Sequence, residues 1–167
     1  FDALQIVQSG GFGNIELWIM GRGPLAESFR SYAEERKVNV KFLGWMSYEK
    51  MCGVLASCDV CVNPISKGAA QSIINKHADY AASGLPVINT QENAEYRKLV
   101  ETYQCGINCT CADARSVADA IIYMIQHEDE RLQMGQNARR MAEDLFDRRY
   151  TYSKIIASLE KTSYIEK

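Results

Sequence analysis

No apolar run in this sequence approaches the roughly 20 residues that a membrane-crossing helix needs. Its opening, FDALQIVQSGG, has neither the basic start nor the long apolar region of a secretion signal. An excess of either charge is also lacking: 19 Lys and Arg oppose 21 Asp and Glu, for a net charge of −2. That balance excludes a general attraction to nucleic acid or anionic lipid. Histidine is scarce, with only His77 and His127, and no Cys-x-x-Cys pair occurs among the six cysteines. Cys52, Cys58 and Cys61 lie in apolar sequence, where a thiol acts as a small core residue. Cys105, Cys109 and Cys111 are close enough to raise a metal or disulfide site, but buried, reduced thiols are the expected state for all six. The compartment expected from these features is the cytoplasm. Asn108-Cys109-Thr110 matches a glycosylation sequon that a cytoplasmic chain would not use. There is no internal repeat, low-complexity segment or linker.

What is present suits one α/β domain. The 167 residues are 47% hydrophobic and 24% charged, which is enough for a single full core. Ala3 to Ser9 reads as the end of a helix, broken by Gly10-Gly11-Phe12-Gly13. That glycine cluster follows a helix where a phosphate loop should follow a strand, so it reads as a plain turn. Strands are predicted at 15–20, 38–43, 58–63, 87–89 and 106–109. Helices are predicted at about 25–36, with Pro24 in the first turn, and at 48–56, 72–82 and 93–100. Three more close the chain, at about 113–127, 129–146 and 150–164. Ser47 and Asp113 are candidate N-caps. Strands alternating with helices imply a Rossmann-like parallel sheet with helices on both faces. A sheet of this kind starts with a strand feeding its first helix, so the helical opening suggests that Phe1 does not begin the natural polypeptide.

In such sheets, ligands bind beyond the carboxyl ends of the strands. Gly21-Arg22-Gly23-Pro24 falls at such a position. So does Gly44-Trp45, where Trp45 could pack over a planar base or equally cover the sheet edge. The stretch from Asp59 to Thr90 carries the most chemistry. On its predicted helix, Lys76 and Asp79 share a face, and the N–H groups of Ser72, Ile73 and Ile74 would open the helix and favour an anion. A diphosphate there, with Asp79 accepting hydroxyl hydrogen bonds, would hold a nucleotide lengthwise. The competing reading is a Lys76–Asp79 surface pair worth only about 0.3–0.5 kcal/mol.

The ordered set LWIMGRGP, VKFLGWMSYEKM, ASCDVCVNPIS, DYAASGLPVI, CGINC and ERLQMGQNARRMAE resembles the C-terminal half of the family-four, group 1 glycosyltransferases, over nearly the whole chain. The resemblance implies the GT-B architecture: two Rossmann-like domains with the active site between them and most of the sugar-nucleotide donor site on the C-terminal one. The family's two glutamates, counted back from Gly84-Leu85-Pro86-Val87, fall on Gln71 and Asp79. Asp79 would bind the ribose hydroxyls. Gln71 would occupy the first acid's catalytic position, nearest the donor sugar, but it cannot act as a base. Gly21, Gly23, Gly44, Trp45, Ser72, Ile73 and Lys76 would complete the donor-nucleotide site.

The family's first strand, with its diphosphate-gripping Arg and Lys, has no counterpart here, nor has the N-terminal acceptor domain. The chain is therefore expected to be a domain fragment, inactive alone. The parent enzyme would be a retaining transferase that uses a UDP- or GDP-sugar, a saccharide or lipid-linked acceptor and no metal. It would act in cell-surface polysaccharide or glycoconjugate synthesis, in the cytoplasm or at the inner face of the membrane. A GT-B sugar-nucleotide epimerase and a degenerate, non-catalytic binding or scaffold module are the alternatives.

Overall fold

The computed structural model describes residues 1–69 and 73–163. The elements alternate as the sequence predicts: α1 (Asp2–Ser9), β1 (Leu17–Met20), α2 (Ala26–Arg36), β2 (Val40–Gly44), α3 (Tyr48–Leu55), β3 (Cys61–Asn63), α4 (Asn75–Ala82), β4 (Val87–Asn89), α5 (Ala94–Tyr103) and β5 (Gly106–Asn108). Three helices follow, α6 (Ala114–Gln126), α7 (Glu128–Leu145) and α8 (Arg148–Ser163). Among the described residues no helix is long and apolar enough to cross a membrane.

All strand pairing is parallel, but it forms two ladders rather than the single sheet expected. One is β1–β2 and the other β3–β4–β5. No strand pairing joins the two ladders among the described residues, and the packing of α1 on α6 ties the two halves together.

The second ladder is buried on both faces, so β4 is apolar along its length before it ends in Asn89. Val87 faces a cluster formed with Ala81, Tyr96, Val100 and Met141, from α4, α5 and α7. Ile88 points the other way, to Cys109, Ala120 and Met124. Helices thus cover both faces of this ladder, as a doubly wound fold requires.

Several boundaries follow from local chemistry. Ser47 accepts the Lys50 N–H and opens α3; Asn93 does the same for α5 through the Tyr96 N–H. Asp113 accepts from both Arg115 and Ser116 N–H at the start of α6. At the end of α4, Gly84 takes φ +69, its N–H bonds to Ala81 O and the Leu85 N–H to Tyr80 O. This left-handed glycine closure is the stop read from Gly84 and Pro86.

Other expectations need correction. Helix α4 begins at Asn75, three residues later than predicted, because Ile74 is extended (ψ 153) and serves as N-cap. The β-branched Ile73 turns into the core instead of opening a helix. Pro24 lies in the turn ahead of α2, whose N-cap is Leu25. Cys52 is exposed rather than a core thiol, since it lies on the outer side of α3. All six thiols are free, and Cys61, Cys105 and Cys109 are buried.

Helix α7 approaches the Gly84 turn so closely that only glycine fits at the crossing. A Cβ on Gly135 would lie 2.4 Å from Gly84 O. Arg139, one turn later, donates to Ala82 O at 2.7 Å and satisfies a carbonyl at the end of α4. Gly135→Ala should therefore force α7 away from α4 and cost about 1–3 kcal/mol, read as a lower urea midpoint with an unchanged denaturant slope.

Candidate functional site

The carboxyl edge of the second ladder is held by a row of amides. Asn63, Asn89 and Asn108 occupy matched register positions on β3, β4 and β5. Asn63 Nδ2 donates to Asn89 Oδ1 at 2.9 Å, and Asn89 Nδ2 donates to Asn108 Oδ1 at 2.9 Å. Asn108 Nδ2 in turn donates to Arg97 O and to Glu101 Oε1, both at 3.0 Å. The Asn108 amide of the sequon is thus engaged in the fold.

At the other end of the row, Asn63 Nδ2 also lies 2.9 Å from His77 Nε2. Since the amide nitrogen donates, Nε2 accepts and the imidazole carries its proton on Nδ1. The ring is fully buried and stacks on Tyr96, with centroids 3.5 Å apart and planes 3° from parallel. Burial, and next the charge of Lys76, push the His77 pKa down to about 4. His77 lies between Lys76 and Asp79 in sequence, so its fixed position fixes theirs.

The remaining loops at this edge are tied together. Thr90 Oγ1 accepts the Ile65 N–H at 2.9 Å, and the Gly68 N–H donates to Glu92 Oε2 at 3.0 Å. In the first ladder, the Gly21 N–H donates to Gly44 O at 2.8 Å, joining the loop after β1 to the end of β2. Both glycines have positive φ, +131 and +70, a backbone that other residues rarely adopt. The Arg22 guanidinium lies 5.7 Å from the Trp45 ring centroid. Trp45 is 68% exposed.

One side chain missed in the sequence joins the two halves. Tyr48, at the start of α3, donates its hydroxyl to Asp79 Oδ1 at 3.1 Å. This contact spans 31 residues, and no spacing rule would find it.

The structure therefore brings Gly21, Gly44 and Trp45 to one edge and links Asp79 to that group through Tyr48. Gly23 is in the same exposed loop, where its carbonyl accepts the Ala26 N–H. Lys76 is in the first turn of α4, half-buried, with its pKa lowered by desolvation. No ion pair joins it to Asp79 or to any other carboxylate among the described residues, so the surface-pair reading does not hold. The N–H of Ile73 lies outside the helix, and the donors at its start belong to Asn75 and Lys76. Gln71 and Ser72 lie outside the described residues. No group of three or more metal-ligating side chains occurs among the described residues.

The sequence model described as Glycosyl transferases group 1 matches residues 1–127. The chain belongs to the group 1 glycosyltransferases. The chitobiosyldiphosphodolichol beta-mannosyltransferase of Kluyveromyces lactis is 31% identical over 127 residues, which are 74% of this chain and 27% of that protein.

Among solved structures, the Anabaena protein Alr3699/HepE in complex with UDP superposes with a TM-score of 0.82 at 17% identity, over 95% of this chain and 44% of that one. WaaG, a glycosyltransferase involved in lipopolysaccharide biosynthesis, gives 0.70 at 20% identity, over 85% of this chain and 37% of that one. The fold is the Rossmann-like one found in GT-B glycosyltransferases. The chain spans about a quarter of the curated relative it matches and under half of these two structures.

The buried imidazole predicts a pH dependence of stability. The folded-state pKa of about 4 lies below the unfolded value of about 6.5. The unfolded chain therefore binds this proton first. The contribution is complete above about pH 6.5 and is lost as pH falls toward 4, by on the order of 3 kcal/mol in all. Urea midpoints should drop over that window, and His77→Leu should flatten this part of the profile.

Proposed function

We propose that this chain forms the donor-nucleotide site of a retaining glycosyltransferase. The enzyme would move a sugar from UDP or GDP to a saccharide or lipid-linked acceptor in cell-surface polysaccharide or glycoconjugate synthesis. The observation that carries this reading is Lys76. It is a half-buried cation at a helix start, with no carboxylate partner among the described residues and a pKa lowered by desolvation alone. A desolvated charge of this kind is stabilised by an anion, and the N–H groups opening α4 add donors and a favourable dipole at the same place. A diphosphate meets both demands. Asp79, one turn on, then accepts hydroxyl hydrogen bonds, while the Gly21–Gly44 loops and the exposed Trp45 flank the base.

The known complexes of relatives agree with this class of ligand: the Anabaena protein is seen with UDP and with UDP-glucose. Because Lys76 and the helix start supply the positive charge, diphosphate binding should survive EDTA. The acceptor site belongs to another domain of the parent enzyme, which works in the cytoplasm or at the inner membrane face. Retention of the anomeric configuration is what the family resemblance implies, and NMR of the product made by the parent enzyme checks it.

The test is calorimetric titration of UDP and GDP into the chain. Lys76→Gln should weaken binding by about tenfold, equivalent to about 1.4 kcal/mol, with far-UV circular dichroism unchanged. Because only the ammonium form attracts the anion, wild-type affinity should fall as pH rises toward the lowered Lys76 pKa. The variant should show no such fall. Binding of neither nucleotide at millimolar concentration would reject the donor-site reading.

A further inference from the structure

A carboxylate joins the loops that follow β3 and β4. Glu92, between β4 and α5, accepts the Gly68 N–H through Oε2 at 3.0 Å. Beside it the Ile65 N–H donates to Thr90 Oγ1 at 2.9 Å, and Ile65 O accepts the Cys111 thiol from the loop after β5 at 3.3 Å. Glu92 is exposed, yet its bond to Gly68 gives the side chain a set direction. Its other oxygen, Oε1, has no hydrogen bond among the described residues, and no cation pairs with the carboxylate there. Residues 64–74 and 90–93 contain no other acid, and Asp113, after β5, is engaged in capping α6. The carboxyl edge of β3 and β4 thus presents one oriented, unneutralised carboxylate.

The bond from Tyr48 to Asp79 marks the side of α4 that faces the first ladder. With the base by Trp45, the ribose by Asp79 and the diphosphate at the start of α4, the ligand runs from the first ladder toward the second. The group esterified beyond the diphosphate then lies over the loops after β3 and β4, where Glu92 is. That group is a sugar, uncharged and rich in hydroxyl donors, and a carboxylate bonds such donors about twice as strongly as a neutral acceptor does. We propose that Glu92 Oε1 accepts hydroxyl hydrogen bonds from the transferred sugar and so favours the sugar nucleotide over the free nucleotide. This deepens the donor-site reading and rests on it. A free nucleoside diphosphate brings no hydroxyl to that place, and its terminal phosphate carries a further negative charge that Glu92 repels.

The experiment measures dissociation constants of the chain for UDP, UDP-glucose, UDP-N-acetylglucosamine, GDP and GDP-mannose, in wild type, Glu92→Gln and Glu92→Ala. In wild type at least one sugar nucleotide should bind more tightly than its free nucleotide. Glu92→Gln keeps an oxygen for the Gly68 N–H and removes the charge. It should weaken that sugar nucleotide about three- to tenfold and leave the free nucleotide within about twofold of wild type. Glu92→Ala, which also releases the loop, should weaken the sugar nucleotide at least as much. The position is on the surface, and circular dichroism reports folding of both variants. Sugar-nucleotide affinity unchanged in Glu92→Gln, or sugar and free nucleotide weakened alike, would overturn the inference and leave the donor site standing. So would a wild type that binds no sugar nucleotide more tightly than its free nucleotide. Absence of any nucleotide binding by wild type would remove the donor-site reading and this inference together.

Discussion

The amide row across β3, β4 and β5 is the constraint on which the site depends. A buried amide without partners costs about 1–3 kcal/mol, so Asn63, Asn89 and Asn108 hold one another in a single register. Shifting any of the three strands by one residue would turn its asparagine to the other face and leave neighbouring amides unpaired. The row therefore fixes the level at which all three strands stop. The loops beyond them, including those pinned by Thr90 and Glu92, start from defined positions.

Helix α4 inherits that definition. In its first turn it is anchored through His77, hydrogen-bonded to Asn63 and stacked on Tyr96. At its end it is closed by Gly84 and capped by Arg139 from α7. Between these anchors Lys76 and Asp79 have little rotational freedom about the helix axis. Lys76 is kept partly from water with no carboxylate paired to it among the described residues. A cation so placed at the start of a helix is a position where an anion would be favourable. Tyr48, in the helix that follows the first ladder, extends the same order toward it by donating to Asp79.

Much of the architecture was legible in the sequence because it is set locally. Val87-Ile88 is a short apolar run between Pro86 and polar residues, and the strand there, Val87–Asn89, has the predicted bounds. Ser47 and Asp113 cap helices because their oxygens reach the next turn's N–H groups. The start of α4 was misread for a tertiary reason. Ser72 looks like a helix opener, but the core takes up Ile73 and leaves Ile74 extended, so the helix waits until Asn75. The amide row was illegible because an asparagine at a strand end usually means a turn. Only the pairing of three strands shows that these asparagines face one another. His77 and Tyr48 were hidden for the same reason, since their partners, Asn63 and Asp79, are 14 and 31 residues away.

The most direct measurement of the central claim is hydrogen–deuterium exchange of the chain with and without saturating UDP or GDP. If the amide row and α4 assemble a donor site with the glycine loops, nucleotide should slow exchange in three separate segments, Gly21–Gly23, Gly44–Tyr48 and Asn75–Asp79. The helices α7 and α8 should be unaffected apart from the crossing at Gly135. Protection confined to other segments, or no change in these three at saturation, would contradict the account.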